Sequence, residues 1–289
     1  MVGKSPERID RDETEPAVGA GGKLPLTALV SSHNEAPLLE RCLPGIAFCD
    51  EIVVIDVDST DDTAAVAEAH GARVVRHRYV QIAECARVTV APQARHDWTL
   101  VVDPDEEVPP ALAAAVAELL PTLEEDVAAV DAPRQYYFAG RPLRGTVWGG
   151  PNKRRLLVRR SAVELTPTIW GGMRILPGRR VLELPFTPET AIVHRWATGY
   201  RELLRRHRRY LRLEAGDRAA AGEITGWRNV LQTPWRSFRT SFVSKRGYRD
   251  GATGLGLSLF WAAFRTAGEL ALLRELRARE ASRVARADG

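Results

Sequence analysis

Apolar and polar positions alternate in blocks along the first 120 residues. Leu24–Ser32 (LPLTALVSS) is a short apolar run of β-friendly residues that closes on polar HNEAP. Ala36–Phe48 has helical spacing, with Leu38, Leu39, Cys42, Leu43 and Ile46 on one side. Glu51–Asp56 (EIVVID) reads as a buried strand, Thr63–His70 as a short Ala-rich helix and Arg73–Arg76 as a third strand. Gln81–Arg95 predicts a helix, Trp98–Val102 a fourth strand, and Pro109–Leu120 a helix whose prolines fall in the first turn, where they are tolerated. Strands alternating with helices at this spacing predict βαβ units and an α/β fold on a mostly parallel sheet. Further on, Ala132–Phe138 and Lys153–Arg160 predict strands joined by a Gly-rich loop. Trp170–Leu184 continues with strand and turn signals that end near His194, and from Tyr200 the chain is mainly helical.

Open parallel sheets bind ligands beyond the carboxyl ends of their strands. HNEAP, DVDSTDDT and DPDEE each sit at such an end, so three polar loops share one rim. In DPDEE, four carboxylates (Asp103, Asp105, Glu106, Glu107) fall within five positions. Two carboxylates at a sheet edge suit Mg2+ or Mn2+, which keep positions open for phosphate oxygens. The competing reading is a solvated loop that caps the next helix. In DVDSTDDT, Ser59, Thr60 or Asp61 can cap a helix, while Asp56, ending an apolar strand, can accept hydrogen bonds from a base or a ribose. HNEAP by itself reads as a turn.

Length and composition leave this picture in place. The chain has 289 residues, 45% of them hydrophobic and 27% charged, as in an ordinary globular protein. Cys42, Cys49 and Cys85 lack metal-like spacing, which predicts reduced packing residues and no zinc site. Residues 1–23 are charged, rich in Gly and Pro and without an apolar segment, which predicts a disordered tail rather than a secretory signal. Charge does change the picture. Residues 195–289 hold 20 basic and 9 acidic residues, whereas residues 1–194 hold 21 and 28. A basic back attached to an acidic front suggests two jobs, one domain over 24–195 and a phosphate- or membrane-facing helical extension over 196–289. RELLRRHRRYLRLEA is a basic helix, and no nucleic-acid-binding signature accompanies it. Gly254–Leu273 is nearly long enough to span a bilayer, but Arg265 and Glu269 interrupt it and could pair across one turn. Phe260, Trp261 and Phe264 there suit either an interfacial helix or one packed on the catalytic domain. Lys245, Arg246 and Arg249 in SKRGYRDG are candidate contacts to a lipid or acceptor phosphate, with a structured turn as the alternative.

SSHNEAPLLERCL, CDEIVVIDVDSTDDT and HDWTLVVDPDEEV, in this order and spacing over residues 24–112, resemble the family 2 glycosyltransferases of the GT-A nucleotide-sugar-binding fold. YYFAGRPLRGTVWGG with KRRLLVRR, and the helical tail, resemble the branch that includes lipopolysaccharide-core glucosyltransferases. The resemblance implies inverting, metal-dependent transfer of a sugar from a nucleotide-diphosphate donor such as a UDP-sugar. The acceptor would be a hydroxyl of a cell-envelope glycan or glycolipid, and the setting the cytoplasm, with a peripheral place on an anionic membrane as an option. It implies that Asp56 meets the uracil or ribose, with Ser32, Asn34, Glu35 and Asp58 shaping the nucleotide pocket. Asp103 and Asp105 would form the diphosphate–Mg2+ or Mn2+ site, Asp105 as the direct ligand. Arg155, His194, Lys245 and Arg246 are candidate contacts to the acceptor or to phosphate; for His194 the alternative is a hydrogen-bonded buried ring, and for the arginines of the KRRLLVRR strand a solvated edge.

Three departures stand out. Val57-Asp58 replaces the family's small Ser-Gly, and ECARVTVAPQ lacks the Asn that often precedes D-W. Trp170-Gly171 stands where many relatives carry His-Glu, whose Glu is a candidate base. Glu183, Glu164, Glu189, Glu106 and Glu107 remain as candidates for the base, with Glu183 put forward first. The missing pair leaves a second class open, a non-catalytic nucleotide-sugar binder or scaffold at the membrane surface. A sugar-phosphate nucleotidyltransferase would want a Gly-rich phosphate loop after the first strand, and SSHNEAPLL has none.

Overall fold

The computed structural model describes residues 22–150, 152–167 and 172–287. The expected tail, apart from residues 22 and 23, and the Trp170-Gly171 position lie outside these residues. The strands are β1 (Leu24–Ser32), β2 (Cys49–Val57), β3 (Arg73–His77), β4 (Trp98–Val102), β5 (Glu106–Glu107), β6 (Val127–Phe138), β7 (Arg141–Pro142), β8 (Asn152–Arg159), β9 (Val163–Leu165), β10 (Met173–Ile175), β11 (Arg180–Glu183) and β12 (Ile192–Ala197). The helices are α1 (Ala36–Gly45), α2 (Thr63–Ala69), α3 (Ala83–Val90), α4 (Pro110–Leu119), α5 (Tyr200–Ala220), α6 (Trp227–Phe238) and α7 (Gly251–Ala287). Among the described residues ten strands form one sheet in the order β3-β2-β1-β4-β8-β6-β12-β5, with β11 and β7 also paired to β6. β1–β4 are mutually parallel, β8 runs antiparallel to both β4 and β6, and β12 runs parallel to β6.

Side chains alternate between the two faces of a strand, and the core divides accordingly. Leu26, Ala28 and Val30 of β1, with Ile52 and Val54 of β2, pack against Leu39, Cys42 and Leu43 of α1 and Leu112 and Val116 of α4. Leu29, Val53 and Ile55 point the other way, against Ala86 and Val90 of α3. The helix read over Gln81–Arg95 is shorter, because Pro92 leads the chain into a 3-10 turn at Ala91–Gln93.

A third cluster joins the extension to the sheet. Phe138, Leu143, Trp148, Trp196 and Leu203 surround Leu257 of α7, with Phe260 and Trp261 packed beside them. The α7 aromatics are therefore turned inward, and the interfacial reading of Phe260, Trp261 and Phe264 is corrected in favour of the packed one. Phe264 is buried, and His207 of α5 lies edge-on to Phe260 and Phe264 at 4.9 and 4.7 Å. Glu269 pairs with Arg218 of α5, while Arg265 lies over the Trp261 ring. No helix among the described residues is long and apolar enough to cross a membrane.

A second tie is made by backbone. Asp250 accepts from the N–H of Arg144 and of Gly145 at 2.8 and 2.7 Å. A Cβ on Gly145 would stand 2.1 Å from the carbonyl oxygen of Arg246, so only glycine permits this approach.

Burial of His207, reinforced by Arg206, pushes its imidazole below the ordinary 6.5. The unfolded chain then takes up this proton at a higher pH than the native one. Stability falls as pH drops through about 6.5 and levels off below the native value. In paired thermal melts at pH 7.5 and 5.5, the fall in Tm should be smaller for His207→Phe than for the wild type.

Candidate active site

The three polar loops meet at the carboxyl edge of β1, β2 and β4. Ser32 is the register partner of Asp56, and Val30 that of Val102. Asn34 takes a left-handed conformation (φ 55°), which asparagine tolerates. From there its Oδ1 accepts the N–H of Thr60 at 2.7 Å and of Asp61 at 3.3 Å, and its own N–H donates to Ser59 Oγ at 3.0 Å. Asp61 receives the N–H of Thr63 at 3.0 Å and of Ala36 at 3.2 Å, so one carboxylate caps two helix N-termini. HNEAP and DVDSTDDT are thus one interlocked unit. Asp56 is buried, accepting from Ser59 N–H at 3.0 Å with Arg76 at 3.6 Å. Asp58 is exposed, at a φ of 58°.

The acidic loop is neither a solvated turn nor a set of free ligands. Glu106 N–H donates to the carbonyl of Asp103 at 2.9 Å, and Asp103 N–H donates to Glu106 Oε2 at 3.0 Å. Every carboxylate of the loop has a guanidinium partner. Asp103 is held by Arg87 of α3 through one oxygen and by Arg154 of β8 at 3.1 Å through the other. Glu106, fully buried, is held by Arg154 at 3.1 Å and Arg134 of β6 at 3.0 Å. Glu107 pairs with Arg195, and Asp105 with Arg206 of α5 at 2.7 Å. Burial by itself would raise the Asp103 carboxyl, but Arg154 and Arg87 hold it well below the usual carboxylate range. Burial likewise opposes the charge on Asp105, and His194 and Arg206 outweigh it, so that carboxyl is also lowered. Glu35, half-buried and so partly desolvated, and then repelled by Asp105, is pushed up to about 7.

Two-residue β5 sets the geometry of this site. It pairs antiparallel with β12, His194 opposite Glu106, and Arg195 N–H donates to the Asp105 carbonyl at 2.8 Å. His194 Nε2 consequently lies 3.3 Å from Asp105 Oδ1, while its Nδ1 is buried with no hydrogen-bond partner among the described residues. Tyr136 of β6 covers the imidazole, ring centres 4.6 Å apart.

Several sequence expectations change here. Both Asp103 oxygens face guanidinium groups, and both Asp105 oxygens are engaged too, one by His194 and the other by Arg206, so the structure adds His194 beside Asp105 as a donor outside the DPDEE motif. Among the described residues no three His, Cys, Asp or Glu side chains form a ready metal cage. A carboxylate beside an imidazole fits a Mn2+-type ion that takes its remaining ligands from phosphate and water.

Glu183 pairs with Lys153 at the exposed edge and does not join the cluster. β11 lies along the start of β6, Glu183 level with Asp131, whereas His194 is level with Tyr136. Five strand residues separate those levels by about 16 Å, so Glu183 is corrected as the base. Arg155 bonds Asp131 at 3.0 Å, and it is neighbouring Arg154, on the opposite face of β8, that enters the site. The side chains of Lys245 and Arg246 are exposed and make no contact with the cluster. Arg206 was missed as a site residue, because a Glu202–Arg206 i,i+4 pair on a basic helix looks like any solvated face.

A mostly parallel sheet with three polar loops at its carboxyl edge and an Asp105–His194 pair beside them is the frame for comparison with known proteins. The Glycosyl transferase family 2 profile matches residues 27–177, and the chain belongs to that family. It is 25% identical over 263 residues to the lipopolysaccharide core biosynthesis glycosyltransferase LpsC of Rhizobium meliloti (strain 1021), covering 89% of this chain and 96% of that protein. An uncharacterized glycosyltransferase of Rickettsia bellii (strain RML369-C) is 34% identical over 87 residues, 29% of this chain and 28% of that one. Among solved structures, the mannosyltransferase PcManGT from Pyrobaculum calidifontis, in complex with GDP-Man and Mn2+, aligns with 87% of both chains at 16% identity and a TM-score of 0.53. That likeness concerns the fold, which is GT-A.

Proposed function

We propose that this glycosyltransferase moves a sugar, with inversion, from a nucleotide-diphosphate donor of the UDP-sugar type to a hydroxyl of a cell-envelope glycan or glycolipid, working at the inner face of the membrane. The observation that carries the reading is the meeting, at one sheet edge, of the Asn34-braced Asp56 loop with the Asp105–His194 pair. Full-length similarity to a lipopolysaccharide-core enzyme supports the acceptor class.

In this reading Asp56 accepts a hydrogen bond from the base or ribose, and Ser32, Asn34, Glu35 and Asp58 line or brace the nucleotide pocket. Asp105 and His194 hold a Mg2+ or Mn2+ ion. Such an ion, when bound, neutralises the diphosphate as its bond to the sugar breaks. Arg154 and Arg87 keep Asp103 ionised, which fixes the loop that presents Asp105. Arg206 brings positive charge from α5 to the same point, where it also attracts phosphate.

A panel of labelled UDP- and GDP-sugars, incubated with Mn2+ or Mg2+ and assayed for nucleotide release, tests the reading. Sustained metal-dependent release of UDP, by transfer or by slow hydrolysis, is expected. Nucleotide-sugar binding without any turnover, in the presence of cell-envelope extracts as acceptor, would instead identify the non-catalytic binder.

A further inference from the structure

α6 carries an apolar stripe that the described residues leave largely uncovered, with Arg277 of α7 5.7 Å from the centre of the Trp227 ring at one end. Trp227, Leu231 and Trp235 recur every four residues and so share one face of the helix. They are 55%, 76% and 68% exposed. Ile224 before the helix and Val243 after it are exposed as well. The face turned to the protein is a different one, marked by buried Val230 and, in the turn that continues the helix, buried Ser241, which bonds Ser258 of α7 at 2.9 Å. The stripe is therefore not a core face left open by poor packing, since the helix already has its packed side.

The charges beside the stripe have one sign. From Ile224 to Arg249 the sequence has six cations (Arg228, Arg236, Arg239, Lys245, Arg246 and Arg249) and no Asp or Glu. All six are exposed, and none makes an ion pair or a side-chain hydrogen bond among the described residues. Elsewhere in this protein arginines are paired with acids, as around Asp103 and Glu106. The neighbouring acids are engaged elsewhere, Glu223 by Arg218 and Asp250 by the Arg144 and Gly145 amides.

Tryptophan and leucine on one helix face beside unpaired arginines match a bilayer interface, where aromatic rings sit at headgroup depth and cations meet lipid phosphates. A second copy of the chain fits poorly. A two-fold interface sets the same patch against itself, which would bring like-charged rims together.

We propose that α6 and the Lys245–Arg249 turn form a docking surface for an anionic phospholipid membrane, the Trp227–Leu231–Trp235 stripe entering the headgroup region and the six cations meeting lipid phosphate. The surface connects with the catalytic half through the Arg246–Gly145 contact and the Asp250 bonds. The inference rests on the proposed transferase reading only for its biological use. Vesicle binding is measured without donor or acceptor, so a failed turnover assay leaves it standing, and its own failure leaves the transferase reading intact.

The full-length chain is sedimented with vesicles of phosphatidylcholine alone or mixed equally with phosphatidylglycerol. Binding to the mixed vesicles is expected, with a blue shift of tryptophan emission and weakening in high salt. Trp227→Ser/Trp235→Ser, and separately Leu231→Gln, should each weaken it by at least about tenfold, with a cooperative thermal melt retained, unchanged for Leu231→Gln, whose side chain is 76% exposed. Arg228→Gln/Arg236→Gln/Arg239→Gln should reduce binding to mixed vesicles toward that on phosphatidylcholine alone. Absence of binding to mixed vesicles, or full binding by the tryptophan and leucine variants, overturns the proposal. A concentration-dependent dimer that Trp227→Ser/Trp235→Ser abolishes also overturns it and assigns the face to self-association.

Discussion

Asp105→Asn is expected to lower sugar transfer by about 10³-fold and to weaken the metal dependence of nucleotide binding that the proposed site implies. The substitution keeps the shape of the side chain and deletes its charge. His194, 3.3 Å away, and Arg206, at 2.7 Å, are left beside a neutral amide in place of a carboxylate. The effect should fall on turnover and on Mn2+-dependent UDP affinity together, read by initial rates and by calorimetric titration with and without the ion. If Asp105→Asn binds UDP with undiminished metal dependence, the assignment of Asp105 fails. Glu183→Gln is the matched contrast. Its carboxylate meets Lys153 and lies level with Asp131, five residues along β6 from the level of His194, so turnover should match the wild type.

The largest effect on stability is expected at Arg154. Its guanidinium is the shared counter-ion of Asp103 and Glu106. Arg154→Met leaves Asp103 with Arg87 and Glu106 with Arg134, in a site where Glu106 has no contact with solvent. Removing one partner of a buried ion pair costs about 3–5 kcal/mol, and urea denaturation should show an unfolding free energy reduced by that amount. Arg155→Met, one residue along but facing partly exposed Asp131, should cost far less. Equal losses for the two variants would contradict the division of faces along β8.

The contrast between these neighbours shows where the sequence stops being legible. The first four strands and their helices could be read because each strand is a short apolar run closed by a polar loop, and the strand-end rule then placed Asp56 and Asp105 on one rim. β6 was read only from Ala132, since Asp131 and Pro133 interrupt the apolar pattern of a strand that begins at Val127. Of the arginine partners, only Arg154 belongs to a run, Arg154, Arg155, Arg159 and Arg160, whose alternation points some members into the site. Arg87, Arg134, Arg154 and Arg206 come from four different elements, and only the pairing of β8 with β4 and β6, and the seating of α5, bring them to the acids. β5, two residues long, has no periodicity to detect, yet it decides which histidine stands beside Asp105. In the extension the aromatic cluster of α7 drew attention to the wrong helix. The W-x-x-x-L-x-x-x-W spacing of α6 was present in the sequence, but spacing alone does not say which of two amphipathic helices finds a protein partner.

Arg206 and His207 are adjacent residues of α5 with different surroundings. The first holds Asp105 at the sheet edge; the second is wedged among Trp148, Trp196, Phe260 and Phe264. Successive residues of a helix point about 100° apart, so α5 cannot roll to release one grip without loosening the other. A clone ending at residue 199 would therefore not be a minimal transferase. It would carry a buried aspartate stripped of its counter-charge and a bared aromatic face, and the boundary drawn by charge composition at residue 196 is no place to cut the gene.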